Sequence, residues 1–184
     1  ETITVHDDEK PGLIKAEKIA NLRPAFEKDG SVTAGNASAI SDGAAAAVLL
    51  RASEAERRGI TPVARVVGHT THAQAPEWFT TAPVTSISML LEKVGWSVDD
   101  VDLFEINEAF AVVPMAAMRA LSLPAEKVNI FGGAIALGHP IGASGARIVV
   151  TLINALQKTG GRRGIASLCI GGGEATSLAV ELTG

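Results

Sequence analysis

Apolar and polar positions alternate along the chain in a rhythm that predicts strands and helices in turn. Residues 44–50 form a short continuous apolar run, which suits a strand that is buried on both faces. Ser53 and Glu56 fit a capping box at the start of a short helix, and Gly59 is placed to end it. Residues 62–67 favour a second strand. This region therefore predicts a strand, a helix and a strand in succession.

The same alternation continues to the carboxyl end. Its predicted elements are a loop at 75–83, a helix at 86–94 ended by Gly95, a strand at 101–106, a helix that Asn107 caps and that runs to about 121, a strand-like stretch at 129–137, a turn at 138–145, a helix that Ser144 caps and Gly160 ends, and strands at 164–170 and 176–182. The last two strands are joined so closely that they are expected to pair antiparallel. Strands that alternate with helices favour an α/β fold with a largely buried sheet.

The composition, with 47% hydrophobic and 20% charged residues, is that of a globular protein and excludes a disordered chain. The net charge of -4 argues against a nucleic-acid partner, which selects a basic face. No apolar run approaches the roughly 18 residues of a membrane helix. Cys169 is the only cysteine, so no internal disulfide can form, and a cytoplasmic location is expected. The chain starts at Glu1 without a leader pattern, from which we expect a piece of a longer polypeptide.

Cys169 is the first candidate for chemistry, because it stands just before three consecutive glycines at 171–173. Glycine lets backbone amides approach a ligand closely, and such amides can stabilise an oxyanion. A cysteine acts as a thiolate, so its pKa must be lowered by its neighbours if it is to react at neutral pH. A buried apolar cysteine at the end of a core strand, followed by a glycine hairpin, explains the same residues.

Two further motifs place polar side chains beside a turn or at the start of a helix. His139 lies in a glycine-rich turn before a predicted helix, whose dipole would keep the imidazole neutral. Asn107 and Glu108 follow a predicted strand, and ligands of α/β sheets gather at such strand ends. A turn histidine and an N-cap asparagine are the structural alternatives. His69 and His72 should point to opposite faces of a strand, which argues against a metal site there.

Taken together, these motifs resemble the signatures of the thiolase family. They follow one another in the family's order and spacing: Asn-Glu-Ala-Phe at 107–110, Gly-Gly-Ala at 132–134 with Gly-His-Pro-Ile-Gly at 138–142, and Cys-Ile-Gly-Gly-Gly at 169–173. Thr-Ala-Gly-Asn-Ala-Ser at 33–38 resembles a further signature. The resemblance extends from about Leu22 to the end of the chain, and it is strongest to the acetyl-CoA acetyltransferase branch.

The resemblance implies a fold in which two similar α/β halves stack in αβαβα layers. Residues 82–184 would be the complete carboxyl-terminal domain, and residues 31–81 the end of the amino-terminal half. Residues 1–30 would be the tail of the loop domain that covers coenzyme A. The cysteine that becomes acetylated would lie outside this chain, because Cys169 matches the family's second cysteine.

The resemblance also implies a role for each motif. His139 would activate the missing nucleophile as a base and donate a hydrogen bond to the thioester oxygen. Cys169 would carry a proton to or from the substrate's C2 carbon, and Asn107 would hold a water in an oxyanion hole. The amide of Gly171 would contribute to a second oxyanion hole. The residues expected to line the coenzyme A and acyl path are Ser38, Ala34, Ala37, Ala109, Phe110 and Phe79.

The implied reaction is the condensation of two acetyl-CoA molecules into acetoacetyl-CoA, or the reverse thiolysis, without a metal or redox cofactor. The partners would be acyl-CoA thioesters and the missing half of the enzyme, in a homodimer or homotetramer. Trp78 and Phe79 stand where many members carry methionine, which leaves the acyl-chain preference open. A longer-chain 3-ketoacyl-CoA thiolase of fatty-acid degradation and a non-catalytic, complementing subunit are the alternatives.

Overall fold

The computed structural model describes residues 4, 6–8 and 10–184. Its contacts divide the chain after Asn36 into two compact units. The first unit holds two short helices, α1 (Lys10–Leu13) and α2 (Ala16–Ile19). A β-bridge joins Pro24 to Thr33. Most of this unit is irregular, as predicted for residues 1–30; residues 1–3, 5 and 9 of that stretch lie outside the described part.

The second unit, Ala37–Gly184, contains the sheet and the longer helices. Its elements are α3 (Ala52–Arg57), β1 (Ala64–Ala73), a 3-10 helix (Pro76–Thr81), α4 (Ala82–Val94), β2 (Leu103–Ile106), α5 (Val112–Leu121), a 3-10 turn (Ala125–Lys127), α6 (Ala134–Leu137), α7 (Ser144–Thr159), β3 (Arg163–Ile170) and β4 (Glu174–Leu182). The four strands form one sheet in the order β1-β4-β3-β2. The β2–β3 pair is parallel, and β4 is antiparallel to both of its neighbours, as predicted for the last two strands.

Apolar residues from alternate positions of β3 enter two separate core clusters, as the two-residue period of a strand requires. Ile165 and Cys169 belong to the cluster that α4 and α5 complete. Ala166 is in the cluster that α7 completes, and Leu168 packs against it. The sheet is therefore covered by helices on both faces, which confirms the predicted α/β class with a buried sheet.

The strand predicted at residues 44–50 is wrong. These residues have no regular secondary structure and pair with no strand of the described chain, and the side chains of Val48 and Leu49 are 89% and 78% exposed. A strand forms only where a neighbouring backbone offers hydrogen-bond partners, and no such neighbour lies beside this run. The apolar side chains that suggested a buried strand therefore face outward.

The glycines predicted to end helices do so, whereas the predicted N-caps are wrong. Gly59, Gly95 and Gly160 follow α3, α4 and α7 with φ of 65°, 69° and 74°, a backbone region that favours glycine. Arg51 occupies the N-cap position of α3, and its side chain makes no hydrogen bond to the helix. The capping box predicted for Ser53 and Glu56 is therefore absent. Helix α4 starts at Ala82 rather than at 86, with proline in its first turn.

Asn107 and Ser144 do not cap helices either, because both side chains have other partners. Helix α5 begins only at Val112, and α7 begins with Ser144 as its first residue. The strand-like stretch at 129–137 is a bend followed by α6, since Asn129 (φ 48°) and Gly132 (φ 77°) both turn the backbone to the left-handed region. Each of these errors lies beside the site described below.

Gly173, in the turn between β3 and β4, is a position where only glycine fits. Its φ is 101°, and a Cβ there would collide with the carbonyl oxygen of Gln74. We expect Gly173→Ala to lower the free energy of unfolding by about 1–3 kcal/mol, because it combines a strained backbone with a clash. Urea unfolding measures this loss. Gly171→Ala is the matched control in the same turn, since a Cβ there meets no atom within 4 Å; an equal loss in both variants would contradict the prediction.

Across the described part of the chain, every helix is too short or too polar to pass through a lipid bilayer.

Candidate active site

The site forms where two parallel strands end side by side. Asn107 directly follows β2, and its backbone N–H donates to the carbonyl oxygen of Ser167 in β3 at 2.9 Å. Cys169 stands two residues farther along β3. The carboxyl ends of neighbouring strands are where α/β sheets place their ligands. Asn107 is fully buried at this edge, with 0% of its surface exposed.

A separate segment brings His139 to the buried amide of Asn107. The Nδ2 atom of Asn107 lies 3.3 Å from Nε2 of His139. The His139 N–H donates to the carbonyl oxygen of Ala39 at 2.8 Å, and His139 forms a β-bridge with Ile40. Gly138 makes this approach possible, because a Cβ at that position would collide with the side chain of Ser41. Two of the predicted catalytic side chains, Asn107 and His139, are therefore in contact.

The other ring nitrogen of His139 is also engaged. Its Nδ1 lies 2.6 Å from the hydroxyl oxygen of Ser144, the first residue of α7. The Ser144 hydroxyl in turn donates to the carbonyl oxygen of Pro140 at 3.1 Å. Sequence reasoning assigned Ser144 to helix capping, and the structure assigns it to the histidine instead.

Behind Asn107 lies a buried ion pair that sequence reasoning missed. Arg147 donates from Nη1 to Oε1 of Glu105 at 3.1 Å and from Nη2 to Oδ1 of Asn107 at 3.3 Å. The side chains of Glu105 and Arg147 are 3% and 18% exposed. The sequence contains one indication of this ion pair, because Glu105 is a carboxylate within the otherwise apolar run 103–106. A charged residue at such a position requires a partner.

Burial shifts the proton affinity of both titratable groups in this network. Removal from water raises the pKa of Glu105 to about 7, although the charge and hydrogen bond of Arg147 oppose that rise. The pKa of His139 lies below its usual range, because the ring is desolvated and because the Arg147 guanidinium repels an imidazolium. The neutral imidazole was predicted from the dipole of the following helix, and burial and the charge of Arg147 act in the same direction.

Cys169 is also buried, with 7% of its surface exposed, in the cluster of apolar residues between the sheet and α4 and α5. Desolvation of the thiolate raises the pKa of Cys169 to about 11, and a backbone hydrogen bond offsets only part of this rise. The condition for a thiolate at neutral pH, a pKa lowered by neighbouring groups, is therefore not met here. The structural alternative, an apolar cysteine at the end of a core strand, describes its surroundings.

Glu108 holds the glycine-rich loop against the end of β2. Its carboxylate accepts hydrogen bonds from Nδ2 of Asn129 and from the backbone N–H of Ile135, both at 3.1 Å. A Cβ at Gly133 would lie 2.6 Å from the carboxyl carbon of Glu108, so this glycine allows the close approach. The Asn129 side-chain amide also accepts a hydrogen bond from the backbone N–H of Ile106 at 2.7 Å and donates one to its carbonyl oxygen at 2.8 Å. Sequence reasoning treated Glu108 only as a helix-start acid, and missed this function.

The residues predicted to line the substrate path partly come together. Ser38 donates from both its backbone N–H and its hydroxyl to the carbonyl oxygen of Ala109, at 3.1 and 3.0 Å. Ala37 forms a β-bridge with Phe110. The rings of Phe79 and Phe110 meet edge to face with centroids 6.2 Å apart, and both pack against the cluster that contains Cys169. Gly171 is exposed in the β3–β4 turn, and Ala34 is exposed within the first unit.

Two surface depressions lie on the second unit. A cleft of about 390 Å³ is lined by residues 41–45 and 140–143, next to His139 in sequence. A groove of about 680 Å³ between β1 and α4 includes none of the predicted site residues. Among the residues that the structure describes, no group of three or more His, Cys, Asp or Glu side chains is arranged to hold a metal ion.

Two family models match this chain. The model described as "Thiolase, C-terminal domain" matches residues 60–182, and the model described as "Thiolase, N-terminal domain" matches residues 1–53. The two matches together extend over most of the sequence, with a short gap between them.

Characterised relatives show the same similarity. The chain is 52% identical over 167 residues to the cytosolic acetyl-CoA acetyltransferase of Mus musculus, covering 90% of this chain and 42% of the relative. It is 50% identical over 166 residues to the acetyl-CoA acetyltransferase of Chromobacterium violaceum, with the same coverage of 90% and 42%. The chain therefore spans less than half the length of these relatives.

Solved structures share the fold. The crystal structure of the Bacillus anthracis acetyl-CoA acetyltransferase matches with a TM-score of 0.89 and 50% identity, over 92% of this chain and 43% of that one. Human mitochondrial 3-ketoacyl-CoA thiolase in complex with CoA matches with a TM-score of 0.85 and 40% identity, over 94% and 44%. The predicted fold class is confirmed by these matches.

Proposed function

Because the chain belongs to the thiolase family, we propose that it forms the carboxyl-terminal part of an acetyl-CoA C-acetyltransferase. The whole enzyme would condense two acetyl-CoA molecules into acetoacetyl-CoA, or run the reverse thiolysis. The observation that carries this proposal is the contact between Asn107 and His139 at the carboxyl end of β2. Relatives about 50% identical to the chain bear the name acetyl-CoA acetyltransferase, which supports the two-carbon reaction.

In this proposal His139 acts first, as a base toward a nucleophilic cysteine that lies outside the chain. Its imidazole is neutral because its pKa is lowered, so it can accept the proton of that thiol. The nucleophile's sulfur then forms a bond to the acyl carbon of acetyl-CoA, and the bond to the coenzyme A sulfur breaks. The same ring nitrogen, once protonated, donates to the thioester oxygen of the second acetyl-CoA.

Cys169 then moves the proton on which carbon–carbon bond formation depends. Its raised pKa keeps the thiol protonated at first, so that it can give its proton to the leaving coenzyme A sulfur. The thiolate that remains is a strong base, which suits the removal of a weakly acidic proton from C2 of the second acetyl-CoA. The C2 carbanion attacks the acetyl group, and the nucleophile's sulfur leaves as the new bond forms.

Asn107 and Gly171 would stabilise the charge that develops on the thioester oxygens. One N–H of the Asn107 amide faces His139, and the other is the donor that we propose for an oxyanion-hole water. The backbone amide of Gly171 would serve the acetyl group on the nucleophile, and one such donor is worth about 3 kcal/mol of transition-state stabilisation. Ser38, Ala34, Ala37, Ala109, Phe110 and Phe79 would line the coenzyme A and acyl path.

The exposed run at residues 44–50 supports a second part of the enzyme beyond this chain. Val48 and Leu49 present apolar side chains to solvent beside an unpaired backbone, an arrangement that a further sheet would cover. We propose that the missing amino-terminal half supplies that sheet together with the nucleophile. The domain division at residues 30/31 and 81/82, the cytoplasmic location, the homodimer or homotetramer and the absence of a cofactor belong to the same proposal.

We expect the isolated 184-residue chain to catalyse neither condensation nor thiolysis, because its single thiol is the proton carrier. A coupled assay for coenzyme A release measures this, with the complete enzyme as the positive control. Turnover by the isolated chain would contradict the division of roles between two cysteines. A separate polypeptide that co-purifies and restores turnover would instead identify the chain as a complementing subunit.

A longer-chain 3-ketoacyl-CoA thiolase is the second candidate. The match to the human mitochondrial 3-ketoacyl-CoA thiolase, with 40% identity, favours it. Thiolysis rates of the complete enzyme on 3-ketoacyl-CoA substrates of increasing chain length separate the two candidates. A rate that falls steeply beyond four carbons supports the acetyltransferase, whereas a rate that rises supports the longer-chain enzyme.

A further inference from the structure

Five polar groups form one continuous hydrogen-bonded chain through the site. Glu105 is hydrogen-bonded to Arg147, which is hydrogen-bonded to Asn107. Asn107 is hydrogen-bonded in turn to His139, and His139 to Ser144. Three of the five members, Glu105, Asn107 and Ser144, are buried. Because buried groups cannot exchange partners with bulk water, the direction of each hydrogen bond along the chain is fixed by its neighbours.

The direction is set at one end by Arg147. A guanidinium has only donors, so the atom of Asn107 that it contacts must be the carbonyl oxygen Oδ1. The amide of Asn107 is thereby oriented with its NH2 group toward Nε2 of His139, 3.3 Å away. An NH2 group can only donate, so Nε2 must carry a lone pair rather than a proton.

The Ser144 end of the hydrogen-bonded network accommodates the same assignment. The Ser144 hydroxyl has one proton, and the carbonyl oxygen of Pro140, 3.1 Å away, can accept it. The Ser144 oxygen can then accept the 2.6 Å hydrogen bond from a proton on Nδ1 of His139. In the opposite tautomer, an Nε2–H would face the NH2 group of Asn107, which has no lone pair to offer.

We propose that Arg147 and Ser144 are positioning residues that hold His139 in the tautomer protonated on Nδ1, with Nε2 free of a proton and its lone pair directed at the Asn107 amide, the protonation state that a base requires. Glu105 belongs to this device, because its carboxylate anchors the guanidinium that orients the Asn107 amide. The inference rests on the proposed function for its catalytic meaning, but the tautomer itself is a property of the resting protein.

The test is the protonation state of each ring nitrogen in the complete enzyme labelled with 15N-histidine. Long-range 1H–15N correlations distinguish a protonated from an unprotonated ring nitrogen, and the His139 signals are assigned by their loss in His139→Gln. We expect Nδ1 to be protonated and Nε2 to be unprotonated in the unmodified enzyme at neutral pH. An Nε2-protonated ring, or an even mixture, would overturn the proposal.

Two variants test the positioning residues separately. Ser144→Ala removes the acceptor for Nδ1–H. Arg147→Lys keeps a cation beside Glu105 but has a single nitrogen in place of the two, Nη1 and Nη2, that contact Glu105 and Asn107. We expect both to populate the Nε2-protonated tautomer and to lower kcat by about 10- to 100-fold with little change in KM, the range for losing a partner that orients a histidine. Arg147→Lys keeps the buried carboxylate neutralised, so the test remains informative if Ser144→Ala fails to fold.

Thr159→Ala is the matched control, because the Thr159 hydroxyl also bonds a carbonyl four residues earlier in the same helix. It should leave the tautomer and kcat unchanged. If both variants keep the Nδ1-protonated ring alone, the proposal is wrong whatever their activity. If the tautomer responds as expected in a protein without acyltransferase activity, the proposed function fails and this inference stands.

Discussion

Replacing Cys169 with alanine in the complete enzyme should lower the rate of condensation by about 10²- to 10⁴-fold, the usual contribution of general acid–base catalysis. Transfer of the acetyl group to the nucleophile should be affected much less, because the proposed nucleophile is another cysteine. The physical reason is that only the buried Cys169 thiol is proposed to accept a proton from C2. Rapid-quench measurement of the acetyl-enzyme by intact mass, alongside the rate of acetoacetyl-CoA formation, separates the two half-reactions.

The structure indicates that this substitution tests chemistry rather than folding. Cys169 packs in an apolar cluster, and alanine there removes one sulfur atom, whose hydrogen bond is to the backbone. Cys169→Val, which fills the site with a slightly larger apolar side chain but has no proton to transfer, is the control for packing and should be as inactive in condensation as Cys169→Ala. Equal loss of both half-reactions in the two variants would contradict the proposed role.

Arg147→Met is the change expected to destabilise the protein most. It leaves the Glu105 carboxylate buried without its counter-ion, and breaking a buried pair in this way costs about 3–5 kcal/mol. Chemical unfolding of the purified protein at neutral pH measures this loss. The double variant Glu105→Gln with Arg147→Met should recover much of it, because it removes the uncompensated charge. A double variant no more stable than Arg147→Met would argue against the ion pair as the cause.

The loss of unfolding free energy in Arg147→Met should also depend on pH, and in a definite direction. Burial raises the pKa of Glu105 from 4.5 to about 7, so the protonated carboxyl stabilises the fold fully below about pH 4.5. That contribution is lost as the pH rises through about 7. Without Arg147 the pKa of the carboxyl rises further, so the deficit of Arg147→Met should grow from acid to neutral pH. A deficit that is constant with pH would mean that the carboxylate charge is not involved.

The sequence predicted elements best where local chemistry decides them. Gly95 and Gly160 end helices because each takes up a left-handed backbone conformation, and a single residue is enough to indicate that. The antiparallel pair β3 and β4 followed from two apolar runs and a glycine turn. The strand at 44–50 failed, because pairing depends on a neighbour that the local pattern does not specify.

The candidate site was predicted from the resemblance of its motifs to the thiolase family, whereas its supporting residues required the fold. Asn107 and His139 are 32 residues apart, and their motifs indicated that both belong to one site before any contact was visible. Ser144 and Asn107 were assigned to helix caps because a local rule explained them, although each bonds a distant side chain instead. Glu105 and Arg147 are 42 residues apart, and only the packing of α7 on the sheet brings them together.

The burial of Cys169 also bears on how the protein responds to electrophiles. A thiol with a pKa of about 11 and 7% exposure presents almost no thiolate to the solvent at neutral pH. Alkylating reagents and peroxide therefore reach it slowly, since both require an accessible thiolate. The residue that we propose as the proton carrier is thus shielded between turnovers from the chemical damage to which an exposed catalytic cysteine is subject.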